Sequence, residues 1–131
     1  MYKLAISTSG EYVSAAIFEE KLLASFVSKT NKGSTGILLN QINELFDKTK
    51  ASRNDLNALY LDIGPGYYTG LRIGLSVSQG LGAVLGIPII PVNGLDALAF
   101  AAHTSHRKIC SLIDIKRNEF AYCEYMPVPG G

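Results

Sequence analysis

The sequence predicts an α/β fold, a mixed five-stranded sheet flanked by helices. Three observations lead there. The chain opens with three stretches rich in valine, isoleucine and phenylalanine, separated by turns of two or three residues, the pattern of an antiparallel meander. Segments of helical period then alternate with short apolar runs, which makes the sheet mixed. At its middle, the apolar run Leu59-Tyr60-Leu61-Asp62-Ile63 passes through glycines straight into an apolar helix.

Tyr2 to Thr8 reads as the first strand and Ser9-Gly10 as its turn. Glu11 to Phe18 and Leu22 to Lys29 are the next two, with Glu19-Glu20-Lys21 between them. Asn31 to Gly36 is a loop in which Ser34 or Thr35 can cap the helix that follows. Ile37 to Lys50 carries two ladders of helical spacing, Ile37-Gln41-Leu45 and Leu38-Ile42-Phe46, so its apolar arc is broad: one part suits the sheet, the rest either core or a partner. Ser52 to Asp55 turns into a fourth strand, Ala58 to Ile63. The second helix, Leu71 to Leu85, has no charge after Arg72 and holds Gly74, Ser78 and Gly82 at spacings of four, a row of small residues that lets another helix come close. Gly86-Ile87-Pro88 ends it. Ile89 to Val92, flanked and interrupted by Pro88 and Pro91, suits an edge strand. Gly94 to His103 is a short third helix, and Lys108 to Asp114 with Glu119 to Tyr125 form a hairpin. Residues 1–106 thus read as one domain and 107–131 as the start of a second, whose hairpin is expected to be less ordered or to lean on a neighbouring chain.

The chemistry concentrates in Gly64-Pro65-Gly66-Tyr67-Tyr68-Thr69-Gly70-Leu71-Arg72-Ile73-Gly74. A strand that turns through glycines into a helix directs backbone N–H groups at whatever sits above the sheet edge, an anion or phosphate cradle. Gly64, Pro65, Gly66, Thr69, Gly70 and Arg72 are its candidate residues, and Thr69 or Gly70 is the expected cap. A tight turn without a ligand fits the same residues. Tyr67 and Tyr68 suit an interface or packing better than a base, since no basic strip accompanies them in the sequence, and Arg72 suits a phosphate or an acidic side chain.

GPGYYTGLRIG also resembles the GPGSFTGLRIG loop of the TsaB (YeaZ) family, partners of the tRNA threonylcarbamoyl transferase TsaD within the superfamily of actin, heat-shock chaperones and sugar kinases. The likeness runs on through Ser76 to Val92 and Asn93 to Ala99, and more weakly from Met1 to Leu45 and Ile109 to Tyr125. It implies a ribonuclease H-like (actin-like ATPase) domain. Such chains usually continue beyond this point, which implies a shortened or unusually short member. Two places depart from the family pattern. Ser7-Thr8-Ser9 stands where such chains often keep Asp-Thr-Ser, and a hydroxyl is a poor magnesium ligand beside a carboxylate. Ser34-Thr35 stands where they often have His-Ser.

A chain of 131 residues suffices for a real core, and its 47% hydrophobic and 18% charged residues are those of a globular protein. A net charge of +1 gives no electrostatic footprint for nucleic acid. There is no bilayer-spanning run, and Met1 to Ile6 reads as a strand, so a cytoplasmic protein is expected. The two cysteines, Cys110 and Cys123, are expected as thiols even if their strands bring them nearly opposite. His103 and His106 straddle a helix end without acidic or thiol neighbours in sequence, so no metal site is expected. No nucleophile with its base is evident, so no catalytic residue is assigned. Asp62, Asp96 and Asp114 lie near strand ends; Asp96 suits a cap or solvent, Asp114 its hairpin turn.

These readings make the chain a non-catalytic scaffold. The resemblance implies binding to a TsaD-like catalyst, with a TsaE-like ATPase in the same system and tRNA met only through the complex. The expected contact uses Ile37, Leu38, Gln41, Leu45, Gly74, Ser78 and Gly82, with Ser78 kept small for close approach, and the same helices suit a homodimer. No cofactor is required by the chain itself, and ATP is expected, if anywhere, at a partner interface. The alternative is an autonomous ATPase or small-molecule kinase using the glycine loop.

Overall fold

The computed structural model describes residues 1–30, 34–102 and 106–127. Strands β1 (Tyr2–Ser7), β2 (Tyr12–Phe18) and β3 (Leu22–Lys29) form the antiparallel meander. β4 (Leu56–Asp62) runs parallel to β1, and β5 (Ile89–Val92) parallel to β4. The order β3-β2-β1-β4-β5 puts β1 at the centre and the proline-bearing β5 at an edge, as the sequence predicts.

Alternation along the strands decides what is core. Leu4 and Ile6 of β1, Val13, Ala15 and Ile17 of β2, and Leu59 and Leu61 of β4 share one buried face. Onto it pack α1 (Ser34–Thr49), through Leu38, Ile42, Leu45 and Phe46, and α2 (Tyr68–Leu85), through Val77 with Ile73, Leu81 and Leu85. Removing each large aliphatic from water stabilises the fold by roughly 1.5–3 kcal/mol. On the other face, the small side chains of Ala5, Ser7, Ser14, Ala16 and Ser25 leave an open groove of about 340 Å³, bounded by Tyr60, Asp62 and Val92.

Several boundaries differ from the sequence reading. β4 begins at Leu56, which pairs with Tyr2 across a register shift. A 3₁₀ turn at Arg53–Asp55 precedes it, its Ser52 hydroxyl accepting from the Asn54 N–H at 3.3 Å. α1 starts at Ser34, inside the expected loop, while residues 31–33 and the Ser34 and Thr35 side chains lie outside the described parts. α2 starts at Tyr68, so neither Thr69 nor Gly70 caps it: Tyr67 occupies that position and makes no side-chain cap bond. Its far end closes at Gly86 in the left-handed region, φ 65°.

α3 (Gly94–Ala101) is capped by Asn93, whose side-chain oxygen accepts from the Leu95 N–H at 2.8 Å. Its expected end at His103 falls outside the described residues. β6 (Ile109–Asp114) and β7 (Phe120–Tyr125) pair as a separate two-stranded sheet. This hairpin leans on its own chain: the Tyr125 hydroxyl donates to Asp96 of α3, and Ile113 packs at Gly94. Cys110 stands opposite Glu124 and Cys123 opposite Ser111, so the free thiols point to opposite faces. Among the described residues, no helix is long and apolar enough to cross a membrane.

Candidate functional site

The parallel strands β1 and β4 end side by side, and the glycine loop leaves from that edge. Asp62, the last residue of β4, takes three hydrogen bonds from the chain itself. The Ser7 and Ser9 hydroxyls donate to Oδ2 at 2.8 and 2.6 Å, and the Gly64 N–H donates to Oδ1 at 2.8 Å. Such charge-assisted bonds fix the carboxylate and tie the β1–β2 turn to the start of the loop.

The loop is folded inward. Gly64 adopts φ 91°, and a cis peptide bond joins it to Pro65. Its carbonyl accepts from the Gly94 N–H at 2.9 Å, and the Tyr67 N–H donates to the Ser9 carbonyl at 2.7 Å. The Gly64 and Tyr67 N–H groups therefore serve the fold, where the sequence suggests an anion cradle. Gly66, Gly70 and Gly74 share one reason for lacking a side chain. A Cβ on Gly66 would collide with the Ser9 carbonyl, one on Gly70 with the Thr8 carbonyl, and one on Gly74 with the Thr8 hydroxyl. That hydroxyl donates to the Gly70 carbonyl at 2.5 Å. The glycines let the first turns of α2 sit directly on the end of β1.

The remaining cradle candidates point away from this junction. Thr69 is exposed. The Arg72 guanidinium lies over the Tyr68 ring, 5.4 Å from its centroid, and makes neither an ion pair with an acid nor a contact with Asp62 among the described residues.

The expected partner interface is redrawn. Gly74, Ser78 and Gly82 are buried, Ser78 completely, and Gly82 meets Ile87 and Ile89. The small-residue row faces the chain's own strands, so no external helix reaches it, and enlarging Ser78 would press on the core. Leu38 and Leu45 are likewise core, Gln41 is half-buried, and Ile37 is exposed. The apolar residues that α1 and α2 expose are instead Ile37, Leu39, Leu75 and Val84, the last by 84%; Ile37 and Leu39, and likewise Leu75 and Val84, fall on opposite flanks of their helices.

The three strand-end acids do not converge on one ligand: Asp62 holds the loop, Asp114 Oδ1 accepts from the Lys116 N–H at 2.8 Å, and Asp96 accepts from Tyr125. The hydrogen bond to Asp96 holds the Tyr125 phenol in its protonated form, well above its usual range. His106 is exposed, and His103 lies outside the described residues.

One contact escapes sequence reasoning. Lys116, in the β6–β7 turn, sits over the Tyr67 ring at 4.7 Å from the centroid. Lys116, Arg117 and Asn118 have φ of 60°, 63° and 57°, a run of left-handed residues that aims the lysine back at the loop. Nothing local links two residues so far apart in sequence.

The family described as "TsaD: tRNA N6-adenosine threonylcarbamoyltransferase" matches residues 23–128. Among curated relatives, the "tRNA threonylcarbamoyladenosine biosynthesis protein TsaB" of Buchnera aphidicola from Schizaphis graminum is 31% identical over 125 residues, covering 94% of this chain and 60% of the relative. The protein of the same description from Haemophilus influenzae is 30% identical, covering 92% and 52%. The solved structure "YeaZ from Pseudomonas aeruginosa" superposes with a TM-score of 0.85 at 29% identity, over 95% of this chain and 59% of that one. The chain thus spans between about half and three fifths of the length of the relatives it matches.

Proposed function

The chain belongs to the TsaB (YeaZ) family, and on that premise we propose that it is a non-catalytic scaffold subunit for a TsaD-like threonylcarbamoyl transferase acting on tRNA. The observation that carries this reading is the set of apolar side chains that α1 and α2 leave in water. The outward positions of α1 and α2 are polar, as on any soluble domain, yet on the flanks of the two helices Ile37, Leu39, Leu75 and Val84 stand exposed. A helical partner surface covers such side chains. In its absence the same helices pair with a second copy. A TsaE-like ATPase joins at that complex, with any ATP held at its subunit boundaries, and residues 107–131 begin a second domain.

The glycine loop supports the non-catalytic part of the proposal. Its Gly64 and Tyr67 donors are engaged within the chain, and Asp62 is engaged by the hydroxyls of Ser7 and Ser9. An autonomous kinase or ATPase would need those groups facing a magnesium–nucleotide.

Size-exclusion chromatography with light scattering, with and without the TsaD-like protein of the same organism, tests the proposal. The parent chain is expected to form a stable hetero-complex. Val84→Asp is expected to weaken it about tenfold or more while leaving the fold unchanged, because that side chain is 84% exposed in the isolated chain. A complex formed equally well by Val84→Asp and by Ile37→Asp would remove these exposed apolar side chains from the interface.

A further inference from the structure

Tyr67 and Tyr68 open α2 side by side, and each carries a cation over its ring: Lys116 at 4.7 Å and Arg72 at 5.4 Å. Two other such pairs, Lys3 over Phe18 and Arg53 over Phe46, stand apart elsewhere in the fold, so what marks this place is that its two pairs sit on adjacent residues. One cation comes from α2 and the other from the turn of the second sheet, so both parts of the chain contribute to this surface. Arg117 stands exposed beside Lys116. Among the described residues, Arg72, Lys116 and Arg117 are in no ion pair. Tyr68 is 70% exposed, a large aromatic surface that the fold leaves in water.

We propose that this strip, Lys116–Tyr67–Tyr68–Arg72 with Arg117 at its end, is a contact surface for an unpaired stretch of RNA. An unstacked base has a π-face that lies well on a tyrosine ring or on a guanidinium plane, and phosphates alongside it need cations within reach. The strip supplies both. A duplex keeps its bases stacked inside and can use only the cations. An acidic peptide likewise engages the cations and has no use for the exposed ring. The site lies at the amino-terminal end of α2, about 24 Å along the helix axis from Val84. The inference rests on the scaffold reading for the identity of the RNA, and it makes this chain a direct contributor to RNA binding rather than a bystander to its partner's.

Fluorescence anisotropy with the 131-residue chain tests it. The probe is a labelled mixed-sequence RNA of about a dozen nucleotides, compared with the duplex it forms with its complement. The single strand is expected to bind more tightly than the duplex at low salt. Tyr68→Ala is expected to weaken that binding about tenfold, while Tyr68→Phe retains it. Lys116→Ala is expected to reduce the salt dependence by roughly 0.7 in the slope of log K against log salt. Unchanged circular dichroism melting of the variants separates loss of contact from loss of fold. The inference is overturned if the parent binds no RNA, if duplex and strand bind alike, or if Tyr68→Ala binds as the parent does. It is overturned equally if a polyglutamate peptide binds with an affinity indifferent to Tyr68 and the RNA does not. Complex formation with the TsaD-like protein is read separately, so failure here and failure of the scaffold reading are distinguishable.

Discussion

Gly70 and Gly80 sit in the same helix and have opposite reasons to be glycine. A Cβ on Gly70 would enter the Thr8 carbonyl, whereas one on Gly80 meets nothing within 4 Å. Backbone cannot yield as a flexible side chain can, so Gly70→Ala pushes α2 off the end of β1. Its expected cost is about 3 kcal/mol, the upper part of the range for overpacking. Gly80→Ala removes only the entropic penalty of glycine in an exposed helix and is expected to stabilise by about 1 kcal/mol. Urea unfolding of both variants checks the pair, and equal effects would contradict the packing account. The need for glycine at Gly66 and Gly70 is legible in the sequence, because the strand–turn–helix junction demands close approach. What they approach is not: Thr8 and Ser9 lie some sixty residues away and carry no local mark of the contact.

At the scale of elements, the antiparallel meander and the hairpin follow from turn spacing and alternation, and the edge position of β5 from its prolines, which are local properties. The facing of α2 does not. A row of Gly74, Ser78 and Gly82 has the same sequence whether it lies against a partner or against the chain's own sheet, and burial of the neighbouring Val77 decides for the sheet. The docking of the hairpin on α3 is equally illegible, since it depends on Asp96 meeting Tyr125 across the fold. That contact has a pH signature. The folded-state pKa of Tyr125 is raised from its ordinary 10.0 because its proton is held by Asp96. A raised pKa means that the stabilisation is fully present below pH 10.0 and declines as pH rises through the higher folded value. Spectrophotometric titration of the seven tyrosines is expected to show one late-ionising group that Tyr125→Phe removes. If the late step survives in that variant, the docking bond does not hold the proton.

Across the whole molecule, burial is divided unevenly. The five-stranded sheet closes over a continuous set of large aliphatics from Leu4 to Val77. The α3–hairpin unit is held through much less: Leu95, Ala99 and Ser111 are its buried residues among those described, and the Ser111 hydroxyl is buried without a partner. An unsatisfied buried hydroxyl costs about 1–3 kcal/mol, so this small interface gives back part of what its apolar contacts gain. α3 is tied to the glycine loop by the Gly94–Gly64 bond and the hairpin by Lys116 over Tyr67, so both joints end at that loop. The hairpin is therefore expected to open before β1 and β4 do, withdrawing Lys116 from Tyr67. Native-state hydrogen exchange at neutral pH under low denaturant checks this. Amides of β6 and β7 are expected to exchange through an opening smaller in free energy than that of β1 and β4, with weak dependence on denaturant because little surface is exposed. Merging of all four strands onto one denaturant-dependent curve would instead make the chain a single cooperative unit. The hairpin would then be a fixed wall of the loop, and Lys116 a permanent neighbour of Tyr67.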